Sequence, residues 1–152
     1  MYKNEREVAK KAEKMLEASL RQKTNSFKDH VSRAEGDISL KNATAKARLK
    51  KYGSRRNGNI THYMRSLAIV MPQHGFIQHF GVDAVRSGGS RNRTKPNNVR
   101  YNFKAHTMKM KPHPFINSAV TNSGVIDFVM ENVAKIRSEE LLLEVKKIME
   151  NK

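Results

Sequence analysis

Apolar residues at the start of the chain fall on one helical stripe. From Asn4 to about Ala34 the positions Val8, Ala12, Leu16, Leu20, Phe27 and Val31 recur at steps of four and seven, so the spacing predicts a long amphipathic helix over residues 1–35. Gly36 and Asp37 break the pattern. The period then changes to two. Ala43, Ala45, Ala47 and Leu49 alternate with Thr44, Lys46, Arg48 and Lys50, as in a strand with one buried face. Alanine and lysine are weak strand formers, so a second helix over residues 40–52, capped by Gly53, stays open as the alternative. Asn57-Gly58 is a strong hairpin signal, and residues 60–71 (ITHYMRSLAIVM) supply the returning strand up to Pro72.

The same alternation extends the sheet. Residues 74–82 (HGFIQHFGV) read as a short third strand ending near Gly81, and residues 99–110 (VRYNFKAHTMKM) as a fourth, with Val99, Tyr101, Phe103 and Ala105 on its buried face. Between them residues 84–98 (AVRSGGSRNRTKPNN) offer no bulky apolar residue beyond Val85, which predicts a mobile basic loop given freedom by Gly88-Gly89. Residues 111–115 (KPHPF) are extended, because each proline disfavours the α region in the residue before it, and they deliver Phe115 and Ile116 to the core. Ser123 caps a final helix over residues 121–150, with Ile126, Val129, Val133 and Ile136 on one stripe and Leu142, Val145 and Met149 beyond a break at Ser138. The expected fold class is α+β: an antiparallel sheet of about four strands in a meander, with the long N-terminal and C-terminal helices packed on one face. Residues 1–152 form one domain in this reading, with the basic meander at 41–110.

A length of 152 residues suits one core. There is no cysteine, hence no disulfide, thiol nucleophile or thiolate metal site. No stretch reaches the ~20 apolar residues of a membrane span, and the N-terminus lacks the apolar run of a signal peptide, so the expectation is a soluble, non-secreted chain without membrane contact. The net charge of +16 is unevenly spread. Residues 1–40 carry nine basic and seven acidic groups, residues 41–111 sixteen basic groups against Asp83 alone, and residues 112–152 five basic and six acidic. Such concentration points to a localised docking surface rather than a solvating coat.

Catalytic constellations are missing. His74 and His79 are five apart and His106 and His113 seven apart, with no HExxH pattern, which argues against a metal site. Asp83 is the sole carboxylate between positions 38 and 126, so neither a Ser/His/acid triad nor a carboxylate pair can form there. Gly88-Gly89 lacks the spacing of a phosphate-binding loop. The expectation is a non-enzyme without cofactor or metal. Tyr63, Tyr101 and Phe103 stack bases in one reading and pack against helices in the other; composition leaves both open.

Three strings carry a family resemblance: MPQHGFIQHFGVD (71–83), KPHPFINSAV (111–120) and VIDFVMENVAKI (125–136). With them the chain resembles the tail-completion, or head-tail joining neck, proteins of long-tailed bacteriophages, in the variant of Bacteroidetes phages and prophages. It departs from that pattern at Ser118, where the family has a proline. The motif residues matching the family are His74, Gly75, Gly81, Pro114, Phe115 and Ala119, taken as structural: His74-Gly75 as a turn and Phe115 as core.

The resemblance implies a virion protein of the neck or tail, assembled in the host cytoplasm as a homo-oligomeric ring of six. Its expected partners are neighbouring neck or connector and tail-tube proteins, with genomic DNA in the channel. The candidate contacts to acidic protein surfaces or DNA are Arg86, Arg91, Arg93, Lys95 and Arg100. The alternative, from composition alone, is a small basic nucleic-acid-binding protein.

Overall fold

The computed structural model describes residues 2–27, 39–53, 60–94 and 96–150. They divide into two compact units, Met1–Pro72 with Phe115–Lys152, and Gln73–Pro114. The fold class is α+β, with long helices at both ends of the chain.

In the first unit α1 (Glu5–Thr24) opens with Asn4, whose side chain accepts from the Glu7 amide, and Glu5 and Glu7 sit in the first turn where acidic groups complement the helix dipole. Val8, Ala12, Leu16 and Leu20 are buried on the expected stripe. The helix ends at Thr24, whose hydroxyl donates back to the Leu20 carbonyl, earlier than the stripe suggested; Val31 lies outside the described residues. Residues 40–52 are a strand, β1 (Thr44–Tyr52), after a single 3-10 turn over Leu40–Asn42. It pairs antiparallel with β2 (Thr61–Val70), from Thr44↔Val70 to Tyr52↔Thr61, so the hairpin exists, while its Asn57-Gly58 turn lies outside the described residues. The register skips Arg65, an extra residue on β2 that makes a bulge between Arg48 and Leu49 of β1. α1 crosses this pair and buries Ala12, Leu16 and Leu20 with Ala45, Ala119 and Val125.

The C-terminal helix begins earlier than expected and in two pieces. α3 (Phe115–Ser123) follows Pro114, whose ring suits the start of a helix, and Gly124 at φ +59° breaks the chain before α4 (Val125–Glu150). Ser123 accepts from the Val125 amide at 3.3 Å, a cap at α4 rather than at the first turn of a single helix. α4 runs through Ser138 without a break, because the Ser138 hydroxyl bonds the Lys135 carbonyl inside the helix.

The second unit departs most from expectation. Residues 73–80 form a helix, α2 (Gln73–Phe80), instead of a third strand. Phe76 and Phe80 are one helical step apart, Pro72 stands just ahead of the helix, and the Gly81 amide closes it on the Ile77 carbonyl at 2.8 Å with φ +76°. The residue read as a strand end is the helix cap. The basic segment 84–98 is largely strand: β3 (Val82–Arg86) pairs with β6 (His106–Met110), and β4 (Gly89–Arg93) with β5 (Val99–Phe103). The expected fourth strand is therefore two, interrupted at Lys104 and Ala105. The strands form three separate two-stranded sheets, not a four-stranded meander, since each pairs with one neighbour and the two ribbons of this unit bury almost no side chain.

Candidate functional site

The β4–β5 ribbon gathers most of the sequence-derived contacts. Cross-strand partners share a face, so the pairs Arg91↔Tyr101, Arg93↔Val99 and Gly89↔Phe103 put two arginines beside two aromatic rings on one side. Arg91 lies 5.7 Å from the Phe103 ring centroid, and Arg86 lies 4.8 Å from the same ring. Arg100 faces the opposite side with Asn92 and Asn102 and donates to the Ser90 hydroxyl at 3.2 Å. Lys95 lies outside the described residues. Arg86, Arg91, Arg93 and Arg100 are all exposed.

Residues 84–111 carry eight Lys or Arg and no Asp or Glu. The nearest carboxylate in sequence, Asp83, pairs with Lys109 at 3.9 Å with both side chains exposed, a contact worth little in water. The ribbon therefore presents a positive potential, with the Arg86 and Arg91 guanidinium groups over the one Phe103 ring, suited to a polyanion or an acidic protein surface.

Glycine packing builds the ribbon where the sequence suggested mobility. A Cβ on Gly88 would meet the Ala105 nitrogen at 3.0 Å and the Phe103 carbonyl oxygen at 3.1 Å, so the pair Gly88-Gly89 lets the strand pass close to Phe103. At Gly81 a Cβ would stand 2.6 Å from the Met110 carbonyl oxygen and 2.8 Å from the Pro112 nitrogen, in a φ that disfavours side chains.

The other family-motif residues serve structure. His74 and Gly75 lie in α2, not in a turn, with Gly75 buried beside His79, which stacks edge-on against Phe80 at 4.6 Å. Pro114 precedes α3. Phe115 is buried and meets Phe27 edge-on at 5.3 Å, and Ala119 is fully buried with its carbonyl accepting from the Ser19 hydroxyl at 2.8 Å. Among the described residues no three His, Cys, Asp or Glu side chains gather to hold a metal, and no helix is long and apolar enough to cross a membrane.

Two features escaped the sequence reading. Glu5 is buried, accepts from the amide of Met64, the residue next to the β2 bulge, and binds Arg137, which also lies 5.5 Å from the Tyr63 ring. The Tyr63 hydroxyl donates to Glu140 at 3.3 Å, and the Glu140 charge holds that phenol above its ordinary pKa. On Tyr52, hydrogen bonding with Lys50 and then Arg65 acts the other way. A charged residue in the first turn of α1 gives no sign in sequence of a partner 132 positions away. The second feature is the exposed apolar surface of α4, which includes Leu141, Leu142, Val145 and Ile148. Its signal was present in the stripe, but a stripe does not say whether this chain covers it.

Comparison with protein-family models, with curated proteins and with solved structures finds no match.

Proposed function

We propose that the protein is a structural subunit of the neck or tail terminus of a long-tailed phage particle, forming a homo-oligomeric ring, six-fold by the family resemblance, that joins the head connector to the tail tube. The observation that carries this reading is the β4–β5 ribbon, in which Arg91, joined by Arg86 of β3, lies over the Phe103 ring in a segment without a carboxylate beyond Asp83. A two-stranded ribbon without a core is marginally stable by itself, and a covering partner would supply the packing these two lack. Acidic surfaces of the neighbouring neck or tube ring supply the complementary charge. The reading assigns the protein no catalytic role and no cofactor.

Arg86↔His106 is the last pair of β3 and β6, so residues 87–105 can be excised and the two strands rejoined by an Asn-Gly turn without disturbing that ladder. The shortened protein is expected to fold, and heads and tails to accumulate unjoined. Joined particles at normal yield would refute the docking role.

A second reading, nucleic-acid binding, draws on the face where Arg91 and Arg93 alternate with Tyr101 and Phe103, an arrangement able to follow phosphates and stack bases. Tight binding of duplex DNA at physiological salt by a stable monomer would favour it over the ring.

A further inference from the structure

α4 carries two apolar surfaces that the described residues leave open. The first is a groove of about 460 Å³ between β2 and the N-terminal half of α4. Met64 and Leu67 form one wall, Val129 and Val133 the other, and Ile126 and Met130 stand at the rim. The charged groups lining it are Arg65 and Arg137, with no carboxylate among them. The second surface is the last ten residues of the helix, 141–150, every one of them exposed. At 100° per residue Leu141, Leu142, Val145, Ile148 and Met149 occupy an arc of about 120°, as wide as the apolar stripe of a helix that packs against a partner.

The tail cannot fill its own groove. Both belong to one uninterrupted helix, and Val145 lies about 24 Å along the axis from Val129 at 1.5 Å per residue. The two surfaces nevertheless match. Leu141, Val145 and Ile148 are anchors at i, i+4 and i+7 spanning about 10 Å, and the wall from Ile126 to Ala134 runs about 12 Å, the scale of a helix laid in a groove. Residues 141–150 hold Glu144 and Glu150 against Lys146 and Lys147, so the tail carries no net charge and meets the groove through its apolar arc.

We propose that the C-terminal end of α4 from one copy of the chain docks in the β2–α4 groove of the next. The contact is heterologous, each subunit giving its tail forward and receiving one behind, so repetition closes a ring or extends a filament. It deepens the ring reading above and rests on it for closure.

The natural absence of cysteine makes the test direct. A variant carrying both Met130→Cys, at the groove rim, and Val145→Cys, on the tail, is oxidised and run on a non-reducing gel. A ladder of covalent multimers is expected from the double variant and none from either single variant. A covalent dimer from Val145→Cys alone would show α4 pairing with α4 about a two-fold axis and overturn the proposal, as would a double variant that stays at 17.4 kDa.

A second measurement avoids introduced thiols. Val145→Asp lies on exposed helix and leaves the monomer folded by thermal unfolding, while its mass by light scattering drops to one chain; an unchanged mass overturns the proposal. A ladder with no incorporation of the chain into tailed particles supports the docking and removes the neck reading. Incorporation without a ladder does the reverse.

Discussion

Glu5 and Arg137, 132 positions apart, form a forked ion pair in which Nε reaches Oε1 at 2.7 Å and Nη2 reaches Oε2 at 3.3 Å. Glu5 is 2% exposed, whereas half of the Arg137 side chain meets solvent. The pair ties the first turn of α1 to the middle of α4, and the Met64 amide fastens the same carboxylate to the bulge of β2.

Removing the arginine strands a buried carboxylate. Arg137→Ala is expected to cost about 2 to 3 kcal/mol, below the full penalty for breaking a buried pair because the outer half of the guanidinium is already hydrated. Arg137→Lys should recover only part, since an ammonium cannot fork. Urea midpoints with an unchanged slope check both; a loss within about 0.5 kcal/mol for the alanine variant would contradict this account.

Gly81 and Gly124 separate backbone strain from steric collision. Both have positive φ, but a Cβ at Gly124 meets nothing within 4 Å, while at Gly81 it meets main chain at 2.6 Å. Gly124→Ala is expected to cost about 1 kcal/mol, from φ alone. Gly81→Ala should cost more than about 2 kcal/mol and release the amides of β3 and β6 to hydrogen exchange. Equal losses at the two sites would show that the collision near Met110 relaxes freely.

Two of the four tyrosines should titrate apart, Tyr52 below the ordinary phenol value of 10.0 and Tyr63 above it. Tyr63 holds its proton more tightly folded than unfolded, so its contribution to stability is present below pH 10 and is lost as pH rises through its folded value. For Tyr52 the sign reverses: its contribution is present above pH 10 and is lost as pH falls through the lowered value. Ultraviolet titration should show Glu140→Gln moving the later phenol down and leaving the earlier one in place; movement of both would place the charge effect elsewhere.

Polyanion binding by the ribbon, where it occurs, should follow counterion release. Arg91→Ala with Arg93→Ala is expected to flatten the slope of log K against log salt by about 1.8 for duplex DNA, at roughly 0.9 per lost phosphate contact. Lys109→Ala, which removes a partner of Asp83, should change it less. A slope unaltered by the double variant would place the contact elsewhere on the chain.

Local pattern foretold the elements whose partners are close in sequence or whose stripe has one reading. The alternation of Ala45, Ala47 and Leu49 placed β1, and Val8, Ala12, Leu16 and Leu20 placed the buried side of α1. The segment at 73–80 misled because Phe76, Ile77 and Phe80 fit a short apolar run of either period, and the deciding residue, Gly81, lies just outside it. The ribbons misled for a different reason. β4 buries nothing, so Gly89–Arg93 leaves no hydrophobic alternation, and backbone pairing alone makes it a strand. The basic residues proposed as contacts were legible as charge, but their division between two faces of a ribbon depends on register, which Arg91↔Tyr101 sets and composition does not.

Glu13 and Glu17 of α1 accept hydrogen bonds from the Ala47 and Ala45 amides at 2.7 and 3.1 Å. Those amides are donors that an incoming strand would otherwise claim, so over this stretch the outer edge of β1 is closed to extension by another chain. Copies brought to high local concentration would thus meet through side chains rather than through a shared, open-ended sheet along this stretch. Replacing the two glutamates would leave the hydrophobic core almost untouched and uncover a template for fibrous aggregation.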